Sequence, residues 1–324
     1  RRADRSRAAP IKNRLKTMRD RSIDKDLTLW QRMQLETLWG FCRIFAWTPY
    51  WFRYYAVQPV LVFLLMVIRY RRKVVLANLK NSFPEKSRIE LLRIMHLFYR
   101  TLSEVAVDTM SMAGITPAKG SDLVRWRNGE EHKLRVAGRD WIAMASHYGC
   151  WEYFPLWCWV DPDPDRTFMG VYHPLHSPVF ERFYHRLRDV APSMKPIPMR
   201  ECVRYYMRHC NEEHANITIG LIADQNPPLR PDSHWFRFLN QDTVFFDGAE
   251  KLALRFRLPV YFVHVDRLKR GRYEIWFEEL YDGVSPVAPN EITERYVRRL
   301  EEMIRTRPEL WMWSHRRWKH RRPE

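Results

Sequence analysis

The sequence predicts an α/β fold: a mainly parallel sheet flanked by helices, preceded by an N-terminal helical arm that associates with a membrane. Three observations predict it. From about Leu134 onward, short apolar runs alternate with segments of helical period, the pattern of strands joined by crossover helices. Residues 38–68 concentrate aromatic and aliphatic side chains and lead directly into the basic cluster Arg69-Tyr-Arg-Arg-Lys73, an arrangement that flanks cytoplasmic membrane faces. With 46% hydrophobic residues, the 324-residue chain can bury a sizeable core and is not a disordered protein.

The formal charge of +17 calls for an anionic partner: nucleic acid, lipid headgroups or a phosphorylated substrate. Fourteen Trp, fifteen Tyr and seventeen Phe favour an interface, where amphipathic rings sit at headgroup level. No recognisable DNA- or RNA-binding motif appears, so an anionic membrane surface is expected and nucleic acid is not. The five cysteines form no CxxC pair and no zinc-ligand spacing, consistent with free thiols in a reducing compartment.

In chain order, residues 1–26 carry ten Lys/Arg against four Asp and no large apolar period. A basic, disordered tail is expected over 1–37, with a membrane-associated helical anchor over 38–73 and an α/β domain over 74–324. In the anchor, Arg43, Arg53, Pro49 and Pro59 interrupt the apolar run, leaving less than the roughly twenty residues a clean span needs. A monotopic or re-entrant anchor is therefore expected. Val74 to Met112 reads as helical, with Leu91, Leu92, Met95, Phe98, Tyr99 and Leu102 at helical spacing and a helix start marked by Pro84 and Glu85. Strands follow at 141–146, 166–172, 217–223 and 259–265, and helices at 150–159, 177–189, 200–213, 247–257 and 290–305.

Ligands of such sheets collect outside the carboxyl ends of the strands. His147, Tyr172 and Asp224 each follow directly on an expected strand, so three polar groups arrive at one edge. His147 and Glu152 lie five positions apart, about 140° apart on one continuous helix, and can meet only if His147 ends a strand while Glu152 opens a helix. That geometry makes a general base with a carboxylate behind it. A helix starting after Gly149 would aim backbone N–H groups at the same space, to hold an oxyanion or a phosphate. No Gly-rich phosphate loop and no G-x-S-x-G elbow occurs. Cys150 carries no activation signal as a nucleophile, and His173 with His176 lacks a third metal ligand, so no metal is expected.

Assembled, these residues resemble the lysophospholipid acyltransferase family that includes the lipid A late acyltransferases, the lauroyl and myristoyl transferases. The likeness runs from about Trp39 to Lys319. His147-Tyr-Gly-Cys-Trp-Glu152 matches the family's His-x4-Asp/Glu signature. Val171-Tyr-His-Pro-Leu-His-Ser-Pro178 resembles its Tyr-Arg-Pro segment, followed by Arg186-Leu-Arg188 as its Arg-x-Arg. Ala223-Asp-Gln-Asn-Pro-Pro228 resembles its Asp-Gln block, Asn78-Leu-Lys-Asn-Ser-Phe-Pro84 a segment following its anchor, and residues 308–319 its Trp-x-Trp-x-His-Arg-Arg-Trp-Lys ending. His173 departs from the pattern, standing where the family usually has Arg.

The resemblance implies a glycerol-phosphate-acyltransferase-like fold at the cytoplasmic side of the inner membrane. It also implies acyl transfer from a thioester, acyl carrier protein or coenzyme A, to a hydroxyl of a membrane lipid, most simply a lipid A precursor. No cofactor beyond that co-substrate is expected. On this reading His147 takes the acceptor proton, Glu152 orients the imidazole, Arg188 anchors a phosphate or supports the site, Asp224, Gln225 and Tyr172 shape the pocket, and Arg200 is a further phosphate candidate. A lysophospholipid or aminolipid acceptor, or acyl hydrolysis at the same site, are the alternatives. The Trp-rich ending reads as core, with Arg316, Arg317 and Lys319 available to face anionic lipid or an acidic carrier protein.

Overall fold

A computed structural model describes residues 27–161, 163, 166–210 and 216–322. The chain opens with helix α1 (Leu29–Trp47), started by a capping box in which Thr28 and Gln31 satisfy each other's backbone N–H groups. Leu27 and Leu35 are buried, so the structured region begins before the expected boundary at residue 37. The expected tail over 1–26 lies outside the described residues. A turn follows, then a π-helical segment (Phe52–Val57) running into α2 (Gln58–Val67).

Among the described residues no single helix is long and apolar enough to cross a membrane. Helix α1 and the helix over Phe52–Val67 pass that test together, but they are bent by 110°. The pair leaves Trp47, Trp51, Phe63 and Val67 more than half exposed. Its inner side packs through Phe45 and Tyr54 onto the next helices.

Helices α3 (Arg72–Ser82) and α4 (Arg88–Ser111) fill the stretch expected to be helical from Val74 to Met112, and the break between them falls where a helix start was expected. The start of α4 is Ser87, whose hydroxyl and Glu90 carboxylate form a capping box; Pro84 and Glu85 lie in the preceding turn. Helix α5 (Pro117–Leu123) leads into strand β1 (Val124–Trp126), then α6 (Gly129–Arg135) and β2 (Trp141–Ala145). A 3-10 helix (Trp151–Trp159) follows, then β3 (Arg166–Tyr172), α7 (Pro178–Arg188), β4 (Met194–Pro198), α8 (Cys202–His209) and β5 (Asn216–Ile222). The expected continuation of α8 over 211–213 lies outside the described residues. A hairpin of β6 (Trp235–Phe238) and β7 (Gln241–Val244) precedes α9 (Gly248–Phe256). The long strands β8 (Val260–Lys269) and β9 (Arg272–Tyr281) and helix α10 (Glu291–Thr306) complete the domain.

Among the described residues seven strands form one sheet in the order β1-β9-β8-β2-β5-β3-β4. Every neighbouring pair is parallel except β8 with β9. Strand β2 lies at the centre with all five residues buried, which is why it reads as an unbroken apolar run. Two prolines in β4 sit at the sheet edge, the place a strand tolerates missing N–H donors.

Parallel pairing also positions the site. Ala145 of β2 is level with Ile222 of β5, so residues two steps beyond each strand end, His147 and Asp224, emerge side by side.

Candidate active site

The imidazole of His147 lies beside Asp224, not Glu152. Its Nδ1 is 2.7 Å from Asp224 Oδ1, and its backbone N–H donates to Asp224 Oδ2 at 2.9 Å. The indole N–H of Trp311 donates to the same Oδ2 at 2.8 Å. The buried carboxylate thus meets donors at both oxygens. Burial alone would raise the Asp224 carboxyl, but the His147 charge, the His147 hydrogen bonds and the Trp311 N–H outweigh it and hold it below the usual carboxylate range. An ionised Asp224 binds an Nδ1–H and leaves Nε2 of the neutral ring as an acceptor.

The expectation that Glu152 backs the imidazole is corrected by its own partner. Arg188 grips Glu152 in a two-pronged pair, Nε to Oε2 at 2.9 Å and Nη2 to Oε1 at 2.7 Å. Trp151 Nε1–H adds a third donor at 3.2 Å, and the Trp151 ring stands edge-on to His147 at 5.0 Å. Glu152 therefore reaches His147 only through Trp151. Burial opposes the Arg188 charge, but Glu152 more than restores it and holds the guanidinium firmly protonated.

Gln225 Nε2 lies 3.1 Å from His147 Nε2. Tyr172 is tied elsewhere: its hydroxyl meets Glu181 and His185 of α7, each at 2.7 Å. Arg200 is exposed on the turn Met199–Glu201, outside these contacts.

The helix expected after Gly149 takes the 3-10 form and contains Pro155, and the Gly149 N–H is taken by the Leu310 carbonyl at 3.0 Å. Gly149 is glycine for two reasons: its φ is +57°, and a Cβ there would meet the Tyr273 ring at 2.9 Å. Cys150 is fully buried, and burial pushes its thiol well above the ordinary range, the opposite of an activated nucleophile. His173 is exposed, its Nδ1 3.0 Å from the Pro174 carbonyl oxygen.

The residues that sequence reasoning missed come from the Trp-rich ending. It is neither strand nor helix beyond the 3-10 turn Pro308–Leu310. It runs past the strand end as a clasp: Tyr148 bridges Trp311, and the Met312 N–H donates to the His147 carbonyl at 3.1 Å. His315 sits close by, and burial lowers it to about 4, so it is neutral at physiological pH. The available signal was chemical: a buried indole needs an acceptor for its N–H, and the nearby sheet edge supplies a carboxylate. Arg317 does not face a lipid or a carrier protein. It is buried, donates to the Val244 carbonyl and stacks over Phe245 at 4.3 Å.

Comparison with known proteins gives the family. The model of the bacterial lipid A biosynthesis acyltransferases matches residues 29–320, nearly the whole described chain. No curated protein sequence matches it. The chain belongs to the bacterial lipid A biosynthesis acyltransferase family and is an acyltransferase.

Proposed function

We propose that this member of the lipid A acyltransferases moves a fatty acyl chain from a thioester, carried by acyl carrier protein, to a hydroxyl of a lipid A precursor. The observation that carries the proposal is the His147–Asp224 pair at 2.7 Å, formed where the two central strands of the sheet end. In this reaction His147 Nε2 takes the proton of the acceptor hydroxyl while its oxygen attacks the thioester carbonyl. Asp224 holds the opposite N–H and stabilises the imidazolium that forms. Collapse of the tetrahedral intermediate breaks the C–S bond, and the departing thiolate takes the proton back from His147. No enzyme nucleophile is required. Glu152 and Arg188 form a rigid wall that sets the Trp151 ring against the base.

The arm supports a reading of the enzyme as seated on the cytoplasmic face of the inner membrane. Its exposed Trp, Phe and Val side chains suit the boundary between headgroups and acyl chains. Exposed Arg69, Arg71, Arg72 and Lys73 beside them suit anionic lipid. The +17 charge complements an acidic carrier protein.

The test is transfer from labelled acyl–acyl carrier protein to a lipid A precursor, with the parent compared to His147→Ala and Asp224→Asn. A product lipid heavier by one acyl chain, lost in both folded variants, is expected. Free fatty acid formed by the parent without any acceptor consumption would assign a hydrolase instead, and parent-level transfer in either variant would remove the dyad from the mechanism.

A further inference from the structure

Gln225 reaches the base by the same route as Asp224, one residue further along the loop beyond β5. Its amide nitrogen lies 3.1 Å from His147 Nε2 and 4.0 Å from Met312 Sδ. Both neighbours are acceptors: the thioether sulfur, and the Nε2 lone pair left when Nδ1–H binds Asp224. The NH2 end of the amide therefore faces the base. The nitrogen that has to receive a proton in acyl transfer is already hydrogen-bonded to a protein donor.

The consequence concerns water. The His147 side chain is 17% exposed, so solvent reaches the imidazole. An uncapped Nε2 would activate water as readily as a lipid hydroxyl. Water oxygen would attack the thioester carbonyl, its proton would pass to Nε2, and the C–S bond would break. The thiolate would then recover the proton, leaving free fatty acid and thiol. A bound lipid hydroxyl is held at the base by its whole headgroup, whereas a water molecule has only its own hydrogen bonds with which to displace an amide.

We propose that Gln225 is a cap on the catalytic base, holding the His147 lone pair until an acceptor hydroxyl displaces it, and so guarding the thioester against hydrolysis. Gln225 acts through His147 and is a positioning residue. The inference rests on the acyl transfer proposed above.

The experiment compares the parent with Gln225→Leu, using labelled acyl–acyl carrier protein with and without the lipid A precursor. Release of free fatty acid without acceptor is expected to rise roughly tenfold, the worth of one lost hydrogen bond to the base, and the ratio of transfer to hydrolysis to fall. A merely structural role would lower both rates together. Nitrogen-15 spectra of the imidazole read the cap with no substrate present: the His147 Nε2 resonance is expected to move downfield, toward a free lone pair, in the variant. Gln225→Met, which keeps the side-chain length, carries the same expectations if the leucine variant melts early. Unchanged hydrolysis, or an unmoved Nε2 resonance, overturns the cap. A parent that acts on no thioester would instead refute the proposed reaction, and the Nε2 resonance would still decide whether the cap exists.

Discussion

Two carboxylates lie near the same histidine, and what neutralises each of them sets them apart. Asp224, at the floor, is matched to a histidine, a partner whose charge comes and goes. Glu152, in the wall, is matched to an arginine, whose charge is permanent. A carboxylate beside a histidine responds to proton transfer; one locked to a guanidinium does not. The motif spacing places Glu152 near His147 in sequence, yet the carboxylate that meets the imidazole lies 77 residues away and arrives by strand pairing.

The sharpest attempt to break this contrast starts at its centre. His147→Ala is expected to lower the turnover of acyl transfer by about a thousandfold, measured as kcat with saturating acceptor. Asp224→Asn keeps the shape but no longer holds Nδ1–H as a charged acceptor, and a loss of about a hundredfold is expected. Trp311→Phe deletes one donor to Asp224 Oδ2 and should cost roughly tenfold in kcat. Glu152→Gln should lower kcat less than any of these. Its main effect falls on folding: an arginine left without its carboxylate costs about 3 kcal/mol, read as a lower melting temperature. A larger kcat loss in Glu152→Gln than in Asp224→Asn would reverse the assignment.

The smallest expected effect on turnover lies under the wall. Asp108 is wholly buried beneath the Cys150–Tyr153 segment and meets the hydroxyls of Tyr54, on the π-helical turn, and Tyr273. Burial pushes its carboxyl up to about 7. A raised acid holds its proton in the fold after the unfolded chain has lost it. Its contribution to stability is therefore full below about 4 and disappears as pH rises to about 7. Asp108→Asn should remove that slope. The stability difference between parent and variant, followed by denaturant unfolding from pH 4 to 8, is expected to change across that window and to be flat above it. A constant difference throughout would show that Asp108 does not titrate with folding.

Strands β2, β3 and β5 were readable because central parallel strands are buried on both faces and appear as apolar runs. Strand β9 was not: Arg272-Tyr-Glu-Ile-Trp-Phe-Glu278 mixes charges into the run, and its Glu274 pairs with Arg125 and Arg127 beside β1. Three-residue β1 and proline-containing β4 leave no run to find. The site shows the same division. His147, Asp224 and Gln225 were each visible as polar groups at strand ends, but the pairing of His147 with Asp224 depends on Ala145 lying level with Ile222. Register is a property of the folded sheet, and no local spacing encodes it. Trp311 reads as core because it is core; its N–H acquires a role from what the sheet edge holds opposite it.

The clasp formed by residues 310–312 carries a consequence for how the enzyme comes into being. Asn78, early in the chain, donates to the Trp313 and His315 carbonyls at 2.9 and 3.0 Å, so the clasp is held from the N-terminal side as well. A nascent chain that has left the ribosome only as far as Thr306 can already pair every strand of the sheet, yet its Asp224 lacks the indole donor and its His147 carbonyl lacks a partner. The arm that would meet the lipid is synthesised before the groups that hold the imidazole. On the proposed seating, attachment to the bilayer would precede completion of the site.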